Sequence, residues 1–220
     1  MHTTDIHSWD LQPSEARRVQ ERLASLVVRC DTFRRVKSVC GVDVGISGEF
    51  ATAAAVVLSF PDLEVMEQRS SRSRVRFPYI PGLLSFREIP ALLSALKAVR
   101  SDPDLIIADG QGIAHPLRFG LASHLGVLLD RPVIGCAKSR LVGEYGEPGL
   151  EKGDWEYLRD REEIIGVVLR TRREVKPVFV SVGHRITLHS AVYYVLQCCR
   201  GFRITEPVRA AHRLAAHAVR

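Results

Sequence analysis

Two aspartates sit where apolar runs end. Asp43 follows Val39, Cys40 and Val42 in "SVCGVDVGIS", and Asp109 closes "LIIADG". An ionised carboxylate in such dry surroundings costs several kcal/mol unless something positive meets it. Either aspartate alone is as well explained by a helix cap or a turn. Glu88 changes the balance. It lies in "PGLLSFREIPALLSAL", four residues from Leu84 and four from Leu92, so one helical row would carry all three to the border of a packed face. Three acids from two strands and a helix resemble a hard-cation site, since Mg2+ takes carboxylate and water oxygens in an octahedron. Two such ions, roughly 4 Å apart, can hold the attacking and leaving oxygens of a phosphodiester. His212 is a fourth candidate. It shares a helical face with Val208, Ala211 and Ala215 in "EPVRAAHRLAAHAVR", where a packed core histidine is the plainer role.

Other groups could hold nucleic acid. Pro78 and Pro81 restrict Tyr79 in "FPYIPG", so a stiff aromatic stands close to Glu88 and could wedge between bases. Lys138 and Arg140 follow an apolar strand in "IGCAKSRLVGE", at the end that usually faces the ligand crevice of an open sheet. Arg72, Arg74 and Arg76 alternate in "SRSRVRF" and share one strand face. They read first as the charged guard of an edge strand. Gly110 and Gly112 leave the turn after Asp109 without side chains, so backbone or a flat ring can lie against it.

The elements that must position these groups change character along the chain. An amphipathic helix is expected over 14–30, followed by three strands joined by short turns: "VKSVCGVDVGIS", "ATAAAVVLSF" and "LEVMEQRSSRSRVRF". A helix is expected over 83–100, kinked or restarted near Pro90. Strands at 104–108, 132–136, 163–170 and 177–182 and helices at 116–129, 187–199 and from Pro207 complete the pattern. Strand–helix alternation in this second half argues for parallel pairing. The fold class is therefore α/β: a ribonuclease H-like mixed sheet, an antiparallel three-strand meander and then parallel strands, flanked by helices. A flavodoxin-like sheet is the rival, but it needs crossovers from the first strand onward. The whole chain, 1–220, reads as one nuclease-sized domain with a polar insertion around 141–162.

Composition sets the outer bounds. Lys and Arg number 31 and Asp and Glu 25, and the net charge of +6 suits a polyanionic partner. The five cysteines form no C-x-x-C pair, which suits reduced thiols. No stretch approaches the roughly 18 apolar residues of a membrane span, and the first ten residues carry no signal core. A cytoplasmic monomer without membrane partners is expected.

Taken together, "GVDVGISGE", "RFPYIPGLLSFRE", "DGQGIAHPLRFGLASHLG", "IGCAKSRL", "FVSVGH" with His184, and "EPVRAAHRLA" resemble the endonuclease V family in order and spacing over nearly the whole chain. The resemblance implies a Mg2+-dependent DNA repair endonuclease, with Mn2+ as a substitute ion. Its substrate would be DNA containing hypoxanthine or other deaminated bases. It would nick the lesion strand at the second phosphodiester on the 3′ side, leaving 3′-hydroxyl and 5′-phosphate ends. It further implies Asp43, Glu88 and Asp109 as metal ligands and His212 as a catalytic-site histidine. Tyr79 would be the wedge that replaces an extruded base. Gly82, Leu84, Gly110 and Leu121 would surround that base, and Lys138, Arg87 and His115 would support strand binding. One departure is visible: Gly45-Ile46 stands where the family often has a serine and an aromatic. Inosine-containing RNA is the alternative substrate. A non-cutting lesion-binding module, a branched-DNA resolvase and an actin-like ATP-dependent kinase are the other readings. The kinase is suggested by the Gly-Val-Asp-Val-Gly loop alone, and 220 residues without a repeat are too few for its duplicated fold.

Overall fold

A computed structural model describes residues 1, 3–4 and 6–217. The first three strands are β1 (Ser38–Ser47), β2 (Phe50–Ser59) and β3 (Val65–Arg74). They pair antiparallel through short turns, as the sequence predicts. After helix α2 (Leu84–Ala98), β4 (Leu105–Ala108) returns beside β1 and runs parallel to it. Helix α3 (Leu121–Leu129) then leads to β5 (Val133–Ala137), parallel to β4. Strands β6 (Trp155–Asp160), β7 (Glu163–Leu169) and β8 (Val178–His184) complete one eight-stranded sheet of order β3-β2-β1-β4-β5-β8-β7-β6. The meander joined to the parallel β1, β4 and β5 is the ribonuclease H-like arrangement.

Four expectations need correction. The last three strands are antiparallel, β8 to β5 and to β7, and β7 to β6. Parallel neighbours need a crossover of a dozen or more residues, and no helix lies between β6 and β8. The polar stretch 141–162 is not all loop, because its end is β6. That outer strand turns only Leu158 fully inward, which hides it from a search for apolar runs. Helix α2 runs unbroken through Pro90. A proline there removes one bond, to Phe86, while eight buried side chains of α2 keep the helix on the sheet. Helix α3 starts at Leu121 rather than 116, because Arg118 adopts φ 54° and closes a turn on the His115 carbonyl.

Both faces of the sheet are covered. The row Ala51, Ala53, Ala55 and Val57 of β2 packs with α2 and α3, and Ala54, Val56 and Leu58 face Ala211 and Ala215 of α5 (Glu206–His217). Helices α1 (Pro13–Ala24) and α4 (Leu188–Gln197) pack against α3 and β8 respectively. Small residues in β2 let the helices come close. Gly41 carries this to its limit: a Cβ there would lie 2.0 Å from the Pro207 carbonyl. The contact sets the depth at which α5 docks across β1.

Gly41→Ala should therefore push α5 away from the sheet. We expect a loss of about 1–3 kcal/mol or more from overpacking, read as a lowered denaturant midpoint. A midpoint equal to the parent's would show that α5 is not seated on Gly41.

Candidate active site

Asp43 and Asp109 are neighbours by register. The parallel pairing of β1 and β4 ends with Val42 opposite Ala108, so the next residues are the two aspartates, side by side at the end of the strands. Both follow odd-numbered residues, Val39 and Gly41 or Leu105 and Ile107, that face α4 and α5. Glu88 comes from the second turn of α2. Its row with Leu84 and Leu92 forms as expected, with Leu92 fully buried and Leu84 at the cleft.

These groups line one open cleft of about 490 Å³, together with Tyr79, Gly82, Leu84, Gly110, His115, Leu121, Lys138 and His212. Of the residues to which the family resemblance gives a site role, Arg87 alone is absent from its walls. Arg87 turns away and donates to the Phe77 carbonyl at 2.9 Å, which braces the segment before Tyr79. His184, part of the "FVSVGH" stretch, lies at the opposite end of the strands, beside Val133 at the start of β5, and is tied to the Val28 amide and to Asp130.

Charge dominates one half of the cleft. Burial pushes the Glu88 carboxyl up to about 8, and the neighbouring charges of Asp43 and Asp109 add to the shift. Burial also raises Asp109, and contact with Lys138 only partly offsets it. Lys138 is itself raised, because Asp109 outweighs the desolvation of the ammonium. The ammonium of Lys138 rests on Asp109, and His212 Nδ1 donates to Asp43 at 2.8 Å. His212 is thus no core residue: its side chain is 63% exposed, while Val208, Ala211 and Ala215 beside it are buried.

The expected convergence on a shared ion is only partly present. The three acids share a cleft and repel one another. Among the described residues, though, no three acidic, imidazole or thiol groups stand close enough to grip an ion as placed. The Lys138 ammonium and the His212 imidazole occupy the two aspartates instead.

The other half of the cleft is neutral and hydrogen-bonded. Gly82 has φ 82°, and its carbonyl accepts from His115 Nε2 and from Gln20 Nε2, both at 2.9 Å. His115 Nδ1 accepts from the Leu117 amide, so the proton is on Nε2 and the ring is neutral. Burial lowers its pKa and keeps it so. The bare turn after Asp109 also has its cause here. A Cβ on Gly110 would meet Leu121 Cδ2 at 2.9 Å, and one on Gly112 would meet the Val182 carbonyl at 2.0 Å.

The family model for endonuclease V matches residues 21–213. The chain belongs to the endonuclease V family. Endonuclease V of Dehalococcoides mccartyi is 51% identical over 216 residues, covering 97% of each chain. That of Methanothrix thermoacetophila is 52% identical over 210 residues, covering 96% of this chain and 93% of the other. The crystal structure of endonuclease V from Streptomyces avermitilis superimposes with a TM-score of 0.92 at 43% identity, over 96% of this chain and 95% of that one. Endonuclease V from Ciona intestinalis, bound to a 24mer DNA containing an inosine followed by a ribo-adenosine, gives 0.84 at 30% identity, over 94% and 96%. Membership of this family makes the chain a nuclease, a hydrolase of phosphodiesters.

One endonuclease V residue at the cleft was not found from sequence. Gln20 of α1 is 1% exposed, and its Nε2 bridges the carbonyls of Gly82 and Phe119 at 2.9 and 3.0 Å. A single amide thereby ties together the two chain segments that wall the neutral half. Its signal was positional: Gln20 lies on the buried row of α1 between Ala16 and Leu23.

The raised Glu88 carboxyl makes stability depend on pH. Between pH 4.5 and about 8 the folded, metal-free chain keeps a proton that the unfolded chain has released. Stability must fall as pH rises through that window. Glu88→Gln cannot ionise, so its denaturation midpoint relative to the parent should climb across the window and level off above it. A difference independent of pH would show that its neighbours do not hold Glu88 protonated.

Proposed function

We propose that this endonuclease V repairs DNA by binding hypoxanthine and other deaminated bases and nicking the same strand at the second phosphodiester on the 3′ side. The observation that carries the reading is the shared cleft, in which the family's acidic set and its base-surrounding residues face one another. Tyr79 supports it further. The ring is 70% exposed on a proline-bounded loop at the cleft mouth, free to stack in the gap left by an extruded base. An extruded hypoxanthine would meet Gly82, Leu84, Gly110 and Leu121 in the neutral half. It presents a carbonyl and an N–H where adenine has an amino group and a bare nitrogen. Fixed donors and acceptors there would discriminate by leaving the wrong base with unpaired polar atoms.

The charged half suits a divalent cation, and we propose Mg2+, with Mn2+ as a substitute. Asp43, Glu88 and Asp109 offer only hard oxygen donors. The Lys138 ammonium on Asp109 marks where positive charge is wanted. A divalent ion held there supplies a Lewis acid for the scissile phosphate and its attacking water. His212 takes part through geometry already set. Nδ1 must carry a proton to donate to Asp43, so Nε2 is the nitrogen left to exchange a proton at the reacting phosphate. Lys138 would pass from Asp109 to the substrate backbone. A cytoplasmic location and a monomeric state fit the free cysteines and the open cleft, and both belong to this proposal.

The test is nicking of matched oligonucleotides, with and without one central hypoxanthine, as DNA and as RNA, in Mg2+ and in chelator. A single nick two bonds 3′ of hypoxanthine, only with metal, is the expected result. The DNA and RNA rates decide between the repair enzyme and an inosine-specific ribonuclease, and binding without cutting would leave a recognition module. Asp43→Ala and Asp109→Ala should abolish nicking while lesion binding persists, and full activity in either would remove its role. Tyr79→Ala should weaken lesion binding roughly 5- to 150-fold, the worth of one stacked base. Unchanged affinity would remove the wedge.

A further inference from the structure

We infer that Phe50, Arg72 and Arg74, at the outer edge of the sheet beside the cleft, form a docking strip for the sugar-phosphate backbone of the substrate strand. The inference rests on the nuclease reading above and adds a surface that the cleft does not include.

Register places the strip. Asp43 pairs with Ala54, and Ala54 with Ser70. Two residues toward the β1–β2 turn, Gly45 pairs with Thr52 and Thr52 with Arg72; beyond them Ser47 pairs with Phe50 and Phe50 with Arg74. Directly paired residues project from the same side of a sheet. Phe50, Arg72 and Arg74 therefore stand on the face that carries Asp43 and His212. Two strand spacings and two residues separate Arg72 from Asp43, about 12 Å, or three to four stacked nucleotides.

Helix α5 covers Ala54 on this face, but the strip beyond is open. Phe50 is 41% exposed and the Arg74 side chain 68%. The Arg72 guanidinium lies 4.5 Å over the Phe50 ring, which orients it flat and leaves its N–H edges free. Arg74 pairs with Glu49, an exposed bridge that solvent weakens and that is easily exchanged for a phosphate. Protection of an edge strand would explain arginines here. It does not explain a large exposed aromatic beneath one of them. Aromatic and arginine together, on the sheet face that carries Asp43, match the stacking and charge needs of a nucleic-acid strand.

The test is the salt dependence of binding, measured by anisotropy in chelator for oligonucleotides with and without hypoxanthine. Removing two phosphate contacts in an Arg72→Ala/Arg74→Ala variant should lower the magnitude of the log Kd against log salt slope by about 1.4–1.8. The loss should be equal for both oligonucleotides. Glu49→Gln, which keeps both arginines and frees Arg74, should tighten binding to both. An unchanged slope, a loss confined to the hypoxanthine oligonucleotide, or no gain from Glu49→Gln would overturn the strip. If the double variant does not fold, Glu49→Gln decides alone. A parent enzyme that fails to nick hypoxanthine would sink the nuclease reading instead, and the slopes on unmodified oligonucleotide would still report on the strip.

Discussion

Repulsion among three half-buried carboxylates is the constraint around which this molecule is arranged. Asp43 and Asp109 are forced together by the parallel pairing of β1 and β4, and Glu88 is delivered opposite them by a helix whose other residues are committed to the core. Burial, with the charges of Asp43 and Asp109, presses Glu88 toward its neutral form, and burial presses Asp109 the same way. The chain answers with Lys138 from the end of β5 and His212 from α5, one hydrogen-bond donor for each aspartate. Neither is bound deeply: the two side chains are 45% and 63% exposed. Exposed partners of this kind are easily exchanged for a divalent ion or a phosphate, whereas buried arginines would have closed the site permanently.

How much of this was legible in the sequence follows from which forces act locally. Acids at the ends of apolar runs, the period of α2 around Glu88 and the meander of β1–β3 are local patterns, and they formed as read. The misses were decided across the chain. Arg87 points to the Phe77 carbonyl because the loop before Tyr79 folds back onto α2, which no spacing reveals. β6 is an outer strand with a single fully buried side chain, so its pairing with β7 leaves almost no hydrophobic trace. His212 reads as part of a small-residue face, yet it lies at that face's rim, where only the packing of α5 on Gly41 brings it to Asp43. Gln20 was hidden for the opposite reason. Its buried row was visible, but its two carbonyl partners are 62 and 99 residues away in the chain.

The two halves of the cleft differ in how they resist change. The charged half is held by exchangeable ion pairs. The neutral half is held by hydrogen bonds whose geometry is overdetermined: the Gly82 carbonyl takes two donors, His115 is locked in one tautomer, and Gln20 spends both amide hydrogens on backbone. Glycine contacts tighten it further, since Gly110 and Gly112 leave no room for a Cβ. A rigid neutral lobe suits recognition of a flat base, where an unpaired polar atom is the penalty that discriminates. An adaptable charged lobe suits a reaction in which charge must move.

That division also gives a physical reason for the proposed cut away from the lesion. A base pocket built beside the carboxylates would place a polar, neutral ring against groups that already compete for protons and cations, and would blur both functions. Leu121 and Gly110 separate the two lobes at the point where the chain leaves Asp109, with the leucine packed directly on the bare turn. A strand whose base entered the neutral lobe would have to bring a phosphate further along its backbone to the charged one. On this view the glycine turn after Asp109 does more than relieve a steric clash. It lets a hydrophobic wall stand within one residue of Asp109, so the fold sets the spacing between the proposed base pocket and the acidic cluster.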